Sequence, residues 1–482
     1  MINHTIFRYY LKFLSIPVIG SLSLVLGCGG AETEPMPVIL AKSPQAQVRI
    51  DSRENVGSWR IAPEVRPDIL PVELGDKGTA VISFYTDSDT LSHTVKTGET
   101  FDFVVLLNGT DSAFTRIAAV APRAVFSPEY IRQNKGKWSV EVPEVQELLL
   151  AVFAITPTGL ADTRSMIINH DTTEYYQEVL DTFLPFRDHP VVAEMDSLLR
   201  NNLFITSKAE ACAYRFDASG HIVKSAVYDR MQGGSNMLEP YVASLNDFAS
   251  QSGFREFYQS HTVFYDSLTA WHNAEISTKK QWEWLEREFP QHTYDHYVIT
   301  FSPLVKGNHS TVRFNNNGFR EAVMFIRPPY RVKGMNAAVS NGLVTRFVFT
   351  EIDHNYVNPE SDKYIDLIDE YFSDRSEWTN GGESDGYRSP YAIFNEYMTW
   401  SVYLLYICDQ YAKKDYEQIS DWVVPYVSGR RGFRQFGAFH AALLELYKNR
   451  SPGTTVADLY PSLLRWAATC CKAPKATTKS VP

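Results

Sequence analysis

The sequence is short of cysteine, of positive charge and of long apolar runs. Five cysteines among 482 residues are too few for the disulfide scaffold of a small secreted domain. The sequence has 46 lysines and arginines against 56 aspartates and glutamates, which gives a net charge of −10. The basic residues form no cluster along the sequence. Because nucleic-acid binding depends on attraction to phosphate, nucleic acid is disfavoured as a partner. Beyond the N-terminal region the most apolar stretch, residues 397–408, is too short to span a membrane and predicts a buried helix.

The N-terminus has the three regions of a bacterial lipoprotein signal peptide. Arg8 and Lys12 precede an apolar run over residues 13–26, and the small Gly27 stands directly before Cys28. We therefore expect cleavage before Cys28 and lipidation of its side chain, which would attach the chain to a membrane. An uncleaved anchor helix is the alternative, but the run is shorter than a bilayer requires.

The residue after Cys28 bears on which membrane holds the lipid. Gly29 is not the aspartate that is associated with retention at the inner membrane in some bacteria. We therefore predict a place in the cell envelope, with the outer membrane preferred over the plasma membrane.

The chain is predicted to have an α+β fold in five segments. Short β-prone runs, separated by turns such as Asn108-Gly109, precede a long series of helical patterns that begins near Glu144. Three β-like runs between residues 297 and 328 interrupt the helices and predict a small sheet. The segments are a signal peptide (1–27), a lipidated tether (28–45), a β-rich region (46–142), a mainly helical domain with the small sheet (143–472) and a C-terminal tail (473–482).

The residues with the clearest chemistry lie on a predicted helix that follows a turn at Asn341-Gly342 and is stopped by Pro359. On a helix, residues three or four apart share a face, so Glu351 and His354 address one point. This is the His-Glu-x-x-His zinc helix with threonine at the first position. In the intact motif two imidazoles bind zinc and the glutamate activates a zinc-bound water. Thr350 is a poor replacement for the first imidazole.

A second predicted helix contributes Asn395-Glu396, which follows His354 by 42 positions. A connecting helix over residues 364–372 and a loop can span that separation. We identify Glu396 as a candidate metal ligand, with a solvent-facing or capping carboxylate as the alternative. The loop over residues 378–386, between the two site helices, is predicted to be a lid or a simple connection.

The stretch from Glu351 to Pro359 resembles the signature of uncharacterised bacterial gluzincin-like domains, in which His-Glu-x-x-His is followed by an aromatic residue and Val-Asn-Pro. The resemblance covers roughly residues 140–450, and only residues 351–359 are specific. It implies a zincin-like fold and zinc-dependent peptide hydrolysis, with His354 and Glu396 as metal ligands and Glu351 as the catalytic base. The sequence departs from the family pattern at Thr350, where a ligand is expected.

Three interpretations of the site remain open. In the first, zinc or another divalent metal is held by His354 and Glu396, and Glu351 activates a bound water against a peptide or protein substrate. In the second, the same three residues bind a metal that prefers oxygen ligands. In the third, the domain is a pseudoenzyme without metal that binds peptide or glycan in the cell envelope. A helix-surface ion pair between Glu351 and His354 is the alternative without function.

Several residues are candidates for supporting roles. Thr350, Asp353, His309 and His440 are possible replacements for the missing ligand. Arg431 is a candidate cation for an oxyanion or a substrate carboxylate, and a solvated loop is the alternative.

Overall fold

A computed structural model describes residues 36–51, 54–74, 78–162, 167–170 and 174–470. Cys28 and the predicted signal peptide lie outside these residues. Contacts between residues divide the chain into two units: the first ends at Val125 and also includes Gly233–Ser235, and the second contains the remaining residues. A β-rich region precedes a mainly helical region that also contains small sheets, so the predicted α+β class is confirmed.

The first unit contains two four-stranded sheets that share one hydrophobic core. One sheet has the order β1-β7-β8-β4 and the other has the order β3-β2-β5-β6. Alternate residues of the strands enter the core, and Phe84 meets Phe103 from the other sheet with ring centroids 5.0 Å apart. The strands are β1 (Val38–Ala41), β2 (Gln45–Ile50), β3 (Glu54–Arg60), β4 (Asp68–Glu73), β5 (Thr79–Tyr85), β6 (Thr90–Lys96), β7 (Thr100–Leu107) and β8 (Asp111–Val120).

The predicted tether over residues 28–45 is too long. Val38–Ala41 forms β1, which pairs in parallel with β7, and β2 begins at Gln45. Ile39 and Ala41 are buried in the core while Val38 and Leu40 are exposed, an alternation typical of a strand. A tether before the first unit therefore ends before Val38.

The second unit is built on a four-stranded sheet with the order β13-β14-β12-β9. The three strands predicted between residues 297 and 328 are confirmed. β12 pairs in parallel with β14, and β13 pairs antiparallel with β14 at one edge. The strands of this unit are β9 (Lys137–Glu141), β10 (Tyr214–Phe216), β11 (Ile222–Lys224), β12 (His296–Phe301), β13 (Ser310–Asn316) and β14 (Phe319–Ile326), of which β10 and β11 form a separate hairpin.

The second unit begins earlier than the predicted boundary at residue 142. β9 was assigned to the β-rich region, but it pairs in parallel with β12 of the second unit. The contact boundary accordingly falls after Val125. A strand pattern in the sequence gives no information about which distant strand is its partner, and for this reason the predicted boundary was displaced.

Helices surround this sheet and form the larger hydrophobic core. They are α1 (Pro128–Asn134), α2 (Glu144–Ile155), α3 (Pro157–Leu160), α4 (Glu174–Phe183), α5 (Pro190–Arg200), α6 (Phe204–Glu210), α7 (Val242–Ser252), α8 (Phe254–Ser260), α9 (Thr262–Glu275), α10 (Thr278–Glu288), α11 (Ala337–Ser361), α12 (Ile365–Tyr371), α13 (Arg375–Trp378), α14 (Pro390–Gln410), α15 (Lys413–Pro425), α16 (Phe436–Lys448) and α17 (Val456–Cys470).

α11 is longer than predicted at both ends. It begins after Asn336, whose side chain accepts a hydrogen bond from the Val339 amide, so Asn341-Gly342 lies within the helix and forms no turn. A Cβ at Gly342 would lie 2.3 Å from Ile419 Cδ1, so this glycine permits close packing of α15. Pro359 lies inside the helix, which continues to Ser361.

α14 contains the predicted buried helix over residues 397–408, and all residues from Ile393 to Ile407 are buried. Among the described residues, no helix combines the length and the apolar character needed to cross a membrane. Cys212 and Cys408 are partly buried thiols, and neither is in a disulfide within the described part of the chain.

Candidate functional site

Two long helices bring the predicted site residues together. α11 packs against the sheet on one side and against α14 on another. Most residues from Val339 to Ser361 are buried, including Glu351, and His354 is only partly exposed. The interpretation of Glu351 and His354 as a helix-surface ion pair is therefore wrong, because both side chains lie in the interior of the unit.

His354 and Glu396, the two predicted metal ligands, lie side by side. His354 Nε2 lies 3.4 Å from Glu396 Oε1. His354 Nδ1 lies 3.2 Å from Asn358 Oδ1 and 3.3 Å from Thr399 Oγ1, and these contacts fix the ring orientation. Burial lowers the pKa of His354, but the hydrogen bond and charge of Glu396 outweigh it and the net shift is upward. His354 is therefore disposed to carry a proton and a positive charge beside Glu396.

Arg431 occupies the other oxygen of Glu396. Arg431 Nη1 donates to Glu396 Oε2 at 2.9 Å, Nη2 donates to the Tyr387 hydroxyl at 2.9 Å, and Nε donates to Glu383 Oε2 at 3.2 Å. Burial raises the pKa of Glu396, but the charge of Arg431 and the hydrogen bond from His354 lower it to about 2. Three aromatic rings surround the guanidinium carbon, with centroid distances of 4.9 Å for Trp400, 5.3 Å for Phe433 and 5.8 Å for Tyr387.

The loop that contains Arg431 is hydrogen-bonded to the loop over residues 378–386. The Asn380 amide donates to the Gly432 carbonyl at 3.0 Å, and the Ser384 amide donates to the Arg431 carbonyl at 2.8 Å. Gly432 has a φ of +82°, and a Cβ there would lie 1.7 Å from the Gly381 carbonyl oxygen. Only glycine fits this backbone and this approach. The predicted loop over residues 378–386 thus connects the two site helices and is hydrogen-bonded to the backbone around Arg431.

Glu351 lies close to the pair and to a buried lysine. Its pKa is raised to about 7, mainly by burial and also by the charge of Glu396, while the charges of His354, Lys208 and Arg431 act in the opposite direction. Burial lowers the pKa of Lys208 to about 8, and the charge of Glu351 opposes this shift. A carboxyl with such a pKa exchanges a proton near neutral pH.

The candidate replacement ligands do not join His354 and Glu396. Thr350 Oγ1 donates to the Arg346 carbonyl at 2.7 Å, and His440 Nε2 contacts the Tyr416 hydroxyl at 3.3 Å. Asp353 is fully buried, and burial, followed by the charges of Glu351 and Glu396, raises its pKa well above the usual range. His309 contacts the ring of Phe347, at a centroid distance of 5.0 Å.

These contacts do not fit a bound metal ion. Each oxygen of Glu396 already has a partner, and the Thr350 hydroxyl is directed to a backbone carbonyl. Within the described ranges, no three His, Cys, Asp or Glu side chains form a group that could hold a metal ion. A divalent cation on Glu396 would also meet the positive charge of Arg431 at short range.

Thr399, Arg346 and Lys208 also belong to this site, although none of them was predicted from the sequence. Thr399 lies three positions after Glu396 on the same helix, so the helical spacing was a usable signal. Arg346 lies four positions before Thr350 and shares its helix face for the same reason. Lys208 comes from α6, far away along the chain, and no local pattern indicates its position.

Comparison of the chain with protein-family models, with curated proteins and with solved structures finds no significant match in any of the three. The interpretation of this site therefore depends on its own residues and their geometry.

Proposed function

We propose that this chain is a lipid-anchored protein of the cell envelope whose second unit binds peptide in a zincin-like cleft without metal-dependent hydrolysis. The observation that carries the proposal is the double occupation of Glu396 by His354 and Arg431. The charge of Glu396, the predicted metal ligand from the second helix, is neutralised by the guanidinium of Arg431. The site is therefore a pseudopeptidase site, in which Arg431 supplies the positive charge.

The sheet supports peptide as the ligand. β13 is an edge strand that pairs with β14 on one side, and no described strand pairs with its other side. α11 lies against β13, and Asn355 Nδ2 is 3.5 Å from Thr311 Oγ1 of that strand. An extended peptide can add to such an edge through backbone hydrogen bonds beside the residues of α11.

The N-terminal sequence supports the anchor. The charged and apolar regions before Gly27-Cys28 are those of a lipoprotein signal peptide, and Gly29 favours the outer membrane over the plasma membrane. The membrane is therefore the first partner of the chain, through the lipid on Cys28.

Metal content tests the central observation. The full chain, purified in detergent without chelators, is dialysed against zinc, and bound metal is measured by mass spectrometry. We expect no stoichiometric zinc in the unmodified chain or in Thr350→His, because Arg431 still occupies Glu396. We expect about one zinc per chain in Thr350→His with Arg431→Met, where a tetrahedral site becomes available. Stoichiometric zinc in the unmodified chain that is lost in both His354→Ala and Glu396→Ala would overturn the proposal.

One observation favours a hydrolase as the second candidate. Glu351, with a pKa of about 7, stands beside His354 and Glu396 and is suited to general-base chemistry. The decisive measurement is peptide cleavage by the unmodified chain and by Glu351→Gln, with and without a chelator. A chelator-sensitive cleavage that disappears in Glu351→Gln would establish the hydrolase, and its absence is what the pseudopeptidase predicts.

A further inference from the structure

Two buried cations beside the site have no carboxylate within ion-pair distance in the described part of the chain. Arg346 is 7% exposed; its guanidinium donates to the Leu343 carbonyl and stacks over Phe347 at 4.2 Å and Trp422 at 4.9 Å. Lys208 is 1% exposed, and its Nζ donates to the Asn308 carbonyl at 2.6 Å. Buried cations are costly unless an anion compensates them, and the charge of Glu351 offsets the burial of Lys208 only in part, so these two positions require an explanation.

His309 is linked to both cations: Lys208 Nζ donates to the carbonyl of the preceding Asn308, and the His309 ring and the Arg346 guanidinium both contact the ring of Phe347. Burial lowers its pKa well below the usual range, and the charges of Lys208, Arg327, Arg346 and Arg431 lower it further. The Nε2 atom of His309 is buried and has no hydrogen-bond partner among the described residues. Positive charge therefore accumulates around an unsatisfied ring nitrogen, in a chain whose net charge is negative.

We propose that Arg346, Lys208 and His309 form a subsite for the carboxylate of a bound peptide. The inference rests on the proposed peptide cleft and adds the chemistry of its ligand. An ionised carboxylate accepts charge-assisted hydrogen bonds from guanidinium and ammonium groups, which offsets the burial of Arg346 and Lys208. Arg346 lies five positions before Glu351 on α11, and both Arg346 and His309 contact the side chain of Phe347.

The position of His309 indicates which carboxylate is bound. His309 directly precedes Ser310, the first residue of β13. A peptide that adds antiparallel to β13 runs towards the start of that strand, so its C-terminal end arrives at His309. The free α-carboxylate of a peptide is therefore the group that this subsite accommodates.

Peptide pairs that differ only at the C-terminus test the inference. The full chain in detergent is titrated with random-sequence hexapeptides that end in a free carboxylate or in an amide. We expect the free acids to bind at least about tenfold more tightly than the amides, the difference made by one charge-assisted contact. In Arg346→Met and Lys208→Met this ratio should fall towards one, while the exposed control Lys333→Met should keep it.

Thermal stability provides a second readout. Removal of an unpaired buried charge should leave the melting temperature of Arg346→Met unchanged or raise it. Loss of a purely structural arginine would lower the melting temperature. Equal binding of acids and amides, or a ratio that survives in both variants, overturns the subsite and leaves the peptide cleft standing. Should no peptide bind, acetate is the probe. Stabilisation by acetate that requires Arg346 keeps the subsite and rejects the peptide cleft, and no stabilisation rejects the subsite.

Discussion

Replacement of Arg431 by methionine keeps the aliphatic stem of the side chain and removes its charge from beside Glu396. Glu396 is 6% exposed, so it would be left as a buried carboxylate whose remaining partner is His354. Removal of one partner of a buried ion pair costs about 3–5 kcal/mol. The lowering of the pKa of Glu396 from an ordinary 4.5 to about 2, to which Arg431 and His354 both contribute, corresponds to about 3 kcal/mol at neutral pH for the two partners together.

The sign of the pH dependence follows from the lowered pKa of Glu396. A carboxyl whose pKa is lower in the folded state stabilises the fold above pH 4.5 and loses this contribution as the pH falls through about 2. The stability difference between the unmodified chain and Arg431→Met should therefore be largest at neutral pH. It should narrow as the pH falls below 4.5.

Urea unfolding followed by tryptophan fluorescence measures this difference, because the ring of Trp400 lies 4.9 Å from the Arg431 guanidinium carbon. Arg430→Met is the matched control. The Arg430 side chain is 71% exposed, and its Nε atom lies 3.6 Å from Glu383 Oε1. Because such an exposed ion pair is weak, the loss of Arg430 should cost under about 1 kcal/mol. If Arg431→Met is no less stable than Arg430→Met at pH 7, the Arg431–Glu396 pair does not hold the site together.

Three further outcomes are expected. Gly432→Ala should lower the free energy of unfolding by at least about 2 kcal/mol, because its Cβ would meet the Gly381 carbonyl oxygen at positive φ. The control Gly429→Ala has open space around the new Cβ and should change stability by less than about 1 kcal/mol. Equal effects of the two changes would refute the clash. Glu147 is buried with a pKa raised to about 7, so its stabilising contribution is complete below pH 4.5 and is lost as the pH rises through 7. Glu147→Gln should flatten the stability profile between pH 5 and 8 in urea titrations, and an unchanged slope would contradict this assignment. Cys28→Ala should abolish the incorporation of a labelled fatty acid into the chain in growing cells, and unchanged incorporation would reject lipidation at Cys28.

The sequence indicated His354 and Glu396 as residues of one site because each lies in a local motif on its own helix, although it predicted them as metal ligands and not as a hydrogen-bonded pair. The pairing of Glu396 with Arg431 was not predicted. Arg431 reaches Glu396 through a loop closure that depends on Gly432 and on the loop containing Gly381, and nothing in the sequence around Arg431 distinguishes this arrangement from a solvated loop.

The same distinction between local and distant sequence information explains where the predicted fold differs from the structure. The three strands between residues 297 and 328 were predicted because each carries its own β-like pattern. β9 carries such a pattern too, but its parallel partner β12 follows more than 150 residues later, so its unit could not be assigned. The length of α11 was misjudged because Gly342 and Pro359 disfavour helix locally, whereas tertiary packing stabilises it.

If Cys28 carries the proposed lipid, the pairing of β1 with β7 limits how far the first unit can lie from that lipid. If the tether ended at residue 45, as predicted from the sequence, the 17 residues after Cys28 would reach roughly 60 Å at full extension. Because Val38 already belongs to the sheet, only the nine residues 29–37 separate it from Cys28, and the ten steps along the chain reach at most roughly 35 Å. A lipidated chain would therefore keep its first unit within a few nanometres of the membrane surface and could not extend it across a wide aqueous gap.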